Sequence, residues 1–248
     1  MQTSLQGKVV LVTGSARRVG RGILLGFAAQ GANVVIHHSH SDADAARTQS
    51  DARALGVDAL VVKGDYADHA AIAGNFEQIV SHYGRIDVLV NSASLFPRAD
   101  LLDIAPQEWD RVMHVNLRAP FLCTQHAGRI MRDAGIAGSI INIADNSGLR
   151  PWAERPHHSV SKAGLIALTQ VTAASLAQHQ IRANCIVLGP VLPSEAATDA
   201  SWRATEARLP LKRSGDPDDA ARAALFLATN DYITGAALRV DGGEWLGN

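Results

Sequence analysis

Short apolar runs recur along the chain at Val9–Val12, Asn33–His37, Ala59–Val62, Val88–Val90, Ser139–Ile143, Ile181–Val187 and Ala237–Val240. Continuous runs of this length suit strands buried on both faces, as in a parallel sheet. Between most of them lie segments with helical spacing: Val19–Gln30, Ala43–Leu55, His69–His82, Pro106–Asp133, Pro156–Gln178 and Pro217–Thr229. Strands that alternate with helices predict βαβ units, and so an α/β fold: a doubly wound, seven-stranded parallel sheet with helices on both faces.

Local chemistry supports several boundaries. Gly31 and Gly84 follow apolar helical patterns, where a left-handed cap is cheap for glycine, and Pro106 and Pro217 suit a first helical turn. The least regular stretch is 188–211, bracketed by Pro190, Pro193 and Pro210; it follows the sixth strand and is expected to be a substrate loop or flap. No repeat, low-complexity tract or linker divides the 248 residues, so one domain over 1–248 is expected.

Composition narrows the classes. With 47% hydrophobic and 19% charged residues the chain can fill a large core, and a net charge of −1 without a basic run argues against nucleic acid as a partner. Cys123 and Cys185 are far apart, outside any metal-ligand spacing, and read as buried small hydrophobes. The first residues lack the pattern of a leader, and no later run reads as long and apolar enough to cross a bilayer; a cytoplasmic protein with no membrane partner is expected.

The first strand runs into Thr13-Gly14-Ser15-Ala16-Arg17-Arg18-Val19-Gly20, after which a helix begins. A strand, a glycine turn and a helix N-terminus together aim N–H groups and a positive dipole end at a diphosphate. The second strand ends in His37-His38-Ser39-His40-Ser41 and lacks the acid that would bind a ribose 2′-hydroxyl. His38, Ser39, His40 and Ser41, with Arg17 nearby, suit a 2′-phosphate instead, which favours NADP(H) over NAD(H).

From the Thr13-Gly14 turn to Val240-Asp241-Gly242-Gly243 the chain resembles the short-chain dehydrogenase/reductase family, with its Rossmann fold. The resemblance implies cofactor contacts from Gly14, Arg17, Arg18, Val19 and Gly20, from Asp65 and Tyr66 beside the adenine, and from Asn91, Ser92 and Ala93. Gly189, Pro190 and Val191, after Ile181-Arg182-Ala183-Asn184, would lie beside the nicotinamide. The family's middle turn glycine is Arg18 here, which resembles pteridine and dihydromonapterin reductases and would place the guanidinium near diphosphate and substrate.

In the family a Tyr and a Lys four residues apart share a helix face, which lets the lysine lower the phenol's pKa and hold the ribose. This chain reads His158-Ser159-Val160-Ser161-Lys162, so histidine stands at the tyrosine position. Thirteen residues earlier, at the family's serine position, is Asp145, the residue type that pteridine reductases use to relay a proton. Asn116 matches the asparagine whose helix distortion holds a water near the lysine. Catalysis is therefore assigned to Asn116, Asp145, His158 and Lys162; substrate contacts to Arg18, Ser94, Phe96, Asp145 and His158; and Lys162 also to the cofactor. Phe96 would stack a flat ring, Leu209-Pro210-Leu211-Lys212-Arg213 follows the flap as in pteridine reductases, and His157 is read as a solvated neighbour.

The expected function is an NADPH-dependent reductase of a pterin-like or other flat heterocyclic small molecule. The alternatives are a carbonyl reductase of the oxoacyl or sugar type, and a nucleotide-binding member weakened by the loss of the tyrosine. The family resemblance also implies a homotetramer built on the helices Pro106–Asp133 and Pro156–Gln178, and no metal.

Overall fold

A computed structural model describes residues 4–193 and 197–246. Seven strands form one parallel sheet: β1 (Val9–Val12), β2 (Asn33–His38), β3 (Ala59–Lys63), β4 (Val88–Asn91), β5 (Ser139–Asp145), β6 (Arg182–Leu188) and β7 (Ala237–Val240). Their order is β3-β2-β1-β4-β5-β6-β7. The chain therefore winds outward from β1 in one direction and from β4 in the other. The crevice above the carboxyl ends of β1 and β4 is the switch point at which such sheets bind ligands.

Helices α1 (Arg18–Ala29), α2 (Asp42–Ala54) and α8 (Pro217–Thr229) cover one face of the sheet; α3 (His69–Tyr83), α4 (Pro106–Met113), α5 (Ala119–Asp133) and α6 (Pro156–Leu176) belong to the other, and α7 (Asp199–Arg208) lies above its edge. The central strands alternate between the two cores. Val10, Val12, Val34 and Ile36 pack with Ile23, Leu24 and Phe27 on one side, while Val9, Leu11 and Val35 pack with Ile72, Phe76 and Met131 on the other. Burying a side chain the size of Phe27 contributes about 3 kcal/mol, so the two layers hold the sheet edge rigid for the site above it.

The structure departs from the sequence reading in four places, each with a local cause. β5 runs two residues beyond the expected end, because Asp145 still pairs with Leu188 of β6. The expected helix 106–133 is interrupted by a π-helical turn at His114–Arg118, next to Pro120, whose ring cannot donate to an earlier carbonyl. The irregular stretch 188–211 contains α7, which buries no residue and so carries no apolar period. A capping box between Thr198 and Ser201 starts that helix instead. Finally, Pro156–His179 is long and apolar enough by composition to cross a bilayer, contrary to the sequence reading. Its inner face, however, carries the buried His158 and Lys162 and packs against β5 and β6, and its outer face leaves Val160 and Val171 exposed.

Candidate active site

The glycine turn is built by contacts that tolerate no side chain. Gly14 has φ +67°, and a Cβ there would sit 2.8 Å from Ala93 Cα; a Cβ on Gly20 would sit 2.4 Å from Gly14 O. Thr13 Oγ1 accepts from the Ser92 and Ala93 N–H groups at 2.9 and 3.0 Å, which ties the end of β1 to the turn after β4. Arg18, where the family has glycine, keeps the left-handed backbone, φ +57°. Its guanidinium donates to Pro193 O at 2.7 Å, so it links the turn to the segment before α7.

His37 is the main support of this end and was missed as a site residue. Its Nδ1 accepts from Gly14 N at 3.0 Å, its Nε2 donates to Gly64 O at 3.0 Å, and its ring stacks on Tyr66 with centroids 3.6 Å apart. Those bonds define the neutral Nε2–H tautomer. Burial, opposed in part by the Gly64 carbonyl, holds its pKa down at about 4. A signal existed: a histidine inside an apolar run of a strand buried on both faces needs two partners.

Two assigned cofactor residues lie elsewhere than expected. The Tyr66 ring, in the turn after β3, belongs to the lower core, with its hydroxyl 3.3 Å from Asn75 Nδ2 and its face stacked on His37. His38 is buried beneath the start of α2, with Nε2 4.0 Å from Asp42 and Nδ1 without a partner among the described residues, and burial lowers its pKa. Ser39, His40 and Ser41 stay accessible, and Ser41 at the N-cap of α2 does not use its hydroxyl to cap the helix. Asp65 is ion-paired with Arg111 at 2.7 Å, and Asn91 donates to Asn142 at 2.8 Å while its own Oδ1 is buried without a partner.

At the other end the structure brings Asn116, Asp145, His158 and Lys162 together. His158 Nε2 lies 2.6 Å from Asp145 Oδ2 and Nδ1 lies 2.9 Å from Leu95 O, so both ring nitrogens face acceptors. Asn116, in the π-helical turn, accepts from Leu95 N at 2.7 Å and donates to Leu95 O and Ser161 Oγ, fixing the loop that His158 rests on. The Asp145 side chain is 19% exposed and that of His158 only 2%. The carboxylate is therefore the more accessible of the two, and both residues line the cleft. Burial works to raise the Asp145 carboxyl, but the His158 hydrogen bond, the Lys162 charge and the Ser147 hydroxyl together hold it below the usual range. Lys162 donates to Ile143 O at 2.8 Å, and burial lowers its pKa.

These groups open onto a cleft of about 1150 Å³ lined also by Arg18, Val19, Ser92, Ser94, Gly189, Pro190 and Val191. Phe96 forms part of the wall, edge-on to His158 with centroids 4.6 Å apart, and Arg155 covers its ring at 3.5 Å. His157 is not solvated: it is fully buried, 3.3 Å from Glu108. Sequence reasoning missed Arg155, Trp152, Trp202 and Glu244, which line the same cleft. Trp152 and Arg155 lay near the His158 segment and Glu244 directly follows Val240-Asp241-Gly242-Gly243, while nothing local marks Trp202.

A coenzyme-shaped glycine turn and a carboxylate–imidazole–lysine set on one sheet edge define an oxidoreductase of the doubly wound α/β class. The chain belongs to the short-chain dehydrogenase/reductase family: residues 14–244 match the family model described as enoyl-(acyl carrier protein) reductase. It is 37% identical to the L-rhamnose 1-dehydrogenase (NAD(P)(+)) of Sphingomonas sp. strain SKA58, over 98% of each chain. It is 35% identical to the galactitol 2-dehydrogenase of Agrobacterium fabrum, over 98% of this chain and 99% of that one. A blue fluorescent protein from a metagenomic library, solved in complex with NADPH, has a TM-score of 0.89 at 33% identity, covering 98% and 99%. The two relatives are sugar and polyol dehydrogenases, not pteridine reductases, which corrects the narrower family expectation.

Proposed function

We propose that the protein interconverts a hydroxyl and a carbonyl group on a sugar or polyol with NADP(H), using Asp145 and His158 to handle the proton. The observation that carries this reading is the 2.6 Å Asp145–His158 pair at the floor of a cleft with Lys162 one helical turn away. The turn between β1 and α1 fits a dinucleotide, because Gly14 and Gly20 leave it no room for side chains and the α1 N-terminus points into it. When bound, the nicotinamide supplies the two-electron acceptor or donor. Gly14, Val19, Asn91 and Lys162 would hold it, and Arg17, Ser39, His40 and Ser41 would hold a 2′-phosphate.

In the reducing direction the proton between His158 Nε2 and Asp145 Oδ2 moves to the carbonyl oxygen; in the oxidising direction the same position takes it from the hydroxyl. Lys162 keeps the carboxylate ionised and Asn116 keeps Leu95 O against the imidazole. On this reading His158 and Asp145 replace the family's tyrosine and serine. Phe96, Trp152 and Trp202 offer apolar faces to the C–H side of a sugar ring, and the carboxylates offer acceptors to its hydroxyls.

The test is nicotinamide absorbance with L-rhamnose, galactitol and a dihydropterin, each with both coenzymes. Turnover of a sugar or polyol is expected, with NADP⁺ favoured about tenfold, roughly the 1.4 kcal/mol of one charge-assisted contact. Coenzyme binding without sugar turnover would leave a binding protein, the reading that the fully engaged His158 ring favours.

We also infer a homotetramer. Val160 and Val171 on the outer face of α6 are 47% and 62% exposed and Phe121 on α5 is 42% exposed, an apolar surface that a second copy would cover. Light scattering should give about 105 kDa, four times the 26.3 kDa chain, and a monomer mass would refute it.

A further inference from the structure

Beside the main cleft lies a second cavity of about 190 Å³, between the turn after β5, helix α7 and the C-terminal turn Glu244–Leu246. Trp152, Thr205, Arg208 and Glu244 line both cavities, so the two are continuous. Its floor is Asn146, the residue after Asp145, and its side chain is buried. Asn146 Nδ2 donates to Glu244 Oε2 at 2.7 Å and to Asp241 Oδ2 at 3.3 Å. Two carboxylate acceptors fix which end of the amide is nitrogen. The other end, Oδ1, is buried without a partner among the described residues.

A site that leaves a buried acceptor orphaned is short of a donor. Glu244 is partly buried beside it and accepts from Asn146. Burial raises its carboxyl above the usual range, with Asn146 and Arg208 offsetting that only in part. The missing ligand group therefore donates hydrogen bonds. A carboxylate or phosphate would suit Arg150 and Arg208 but would set a further acceptor against Asn146 Oδ1 and Glu244. An ammonium would meet Arg150 and Arg208. Hydroxyl groups satisfy both constraints, and the Trp152 and Trp245 rings suit the C–H faces between them.

We infer that this cavity is a subsite for the distal hydroxyls of an extended, uncharged polyol or sugar whose reacting carbon lies at Asp145, with Glu244 and Asn146 as the residues that select it. The inference rests on the sugar or polyol reading of the main site. It assigns the length and the polarity of the substrate: a chain that reaches from Asp145 past Asn146, with donors at its far end.

The experiment uses the coenzyme-saturated wild-type protein, Glu244→Gln and Thr205→Tyr. The second variant fills the cavity from α7, a helix with no buried residue, and so guards against misfolding at the C-terminal turn. Calorimetry gives the affinity for galactitol and for L-rhamnose. Steady-state kinetics gives the ratio of kcat/KM for galactitol to that for butan-2-ol, which is too short to enter the second cavity. Both variants should weaken polyol binding at least tenfold and lower the ratio at least tenfold, through KM rather than kcat. Unchanged affinity and ratio in both variants would overturn the subsite, even with sugar turnover intact. Polyol binding that is lost in the variants but never leads to turnover would keep the subsite and sink the proposed reaction. A wild-type protein that binds neither polyol nor sugar refutes the subsite; turnover of butan-2-ol would then still support an alcohol dehydrogenase.

Discussion

At the end of β1 the structure is held by neutral groups: a glycine N–H on the His37 imidazole, a threonine hydroxyl under two backbone amides, and glycines whose missing side chains leave the room. Two strands away, at the end of β5, the same sheet edge carries Asp145, His158 and Lys162, all with side chains mostly or fully withdrawn from water. The first end is fixed by shape and changes little with protonation near neutrality. The second keeps charges in a place where each depends on its neighbours, as proton transfer requires and folding alone does not. The two ends should therefore fail differently when broken, one through binding and acid stability, the other through turnover.

The largest separation is expected from Asp145→Asn. The amide keeps the size of the side chain but cannot hold the shared proton, so kcat should fall about a hundredfold to ten-thousandfold. Coenzyme affinity, set at the glycine turn, should change less than threefold by fluorescence titration. A parallel loss of both would mean that Asp145 merely caps the turn Asn146–Gly148, whose Ser147 amide it does accept at 3.0 Å.

The second test acts on the opposite end. His37 has a pKa of about 4 in the fold against 6.5 for a free imidazole, so between those values the unfolded chain holds more protons. Its contribution to stability is whole above about pH 6.5, shrinks as the pH falls, and is gone below about pH 4. At full size it is roughly 3 kcal/mol. Denaturant titrations from pH 7 to 4.5 should show a steeper loss for the wild type than for His37→Gln, which does not titrate. Because protonated Nδ1 can no longer accept from Gly14, coenzyme affinity should hold through most of this range and fall only as the pH nears 4. Equal slopes for both proteins would show that the imidazole is not the neutral support that its bonds describe.

The contrast between the two ends also explains what could be read from the chain. Glycines at Gly14 and Gly20 and the Thr13 hydroxyl act through backbone geometry, which leaves a local signature, and so the turn was legible, as the alternation of strands and helices made the seven-stranded parallel sheet. Asp145, His158 and Lys162 were found because a helical spacing and a fixed interval tie them together. The sequence could not show which of the two acid–base groups is the more accessible, since that follows from Leu95 O reaching His158 across more than sixty residues. Helix α7, Glu244 and Trp202 were hidden for the same reason. They serve the cleft and not the core, so no apolar period records them. His157 was misjudged because a histidine's partner, here Glu108 on α4, is visible only after folding.

The smallest effect sharpens the comparison where the two ends meet. Arg18 holds φ +57° without being glycine, at a cost of about 1–2 kcal/mol, and it recovers part of that by donating to Pro193 O. Arg18→Gly removes the backbone strain but gives the unfolded chain more freedom, worth about 0.5–1 kcal/mol against folding. The two nearly cancel, so the melting temperature should rise by no more than about 2 °C. Function should move the other way, since that guanidinium ties the turn to Pro193, ahead of α7. KM for the sugar should rise several-fold while kcat holds. A fall in kcat with KM unchanged would instead place Arg18 with the reacting groups at the β5 end, and the division between a shape-fixed and a charge-fixed half would no longer stand.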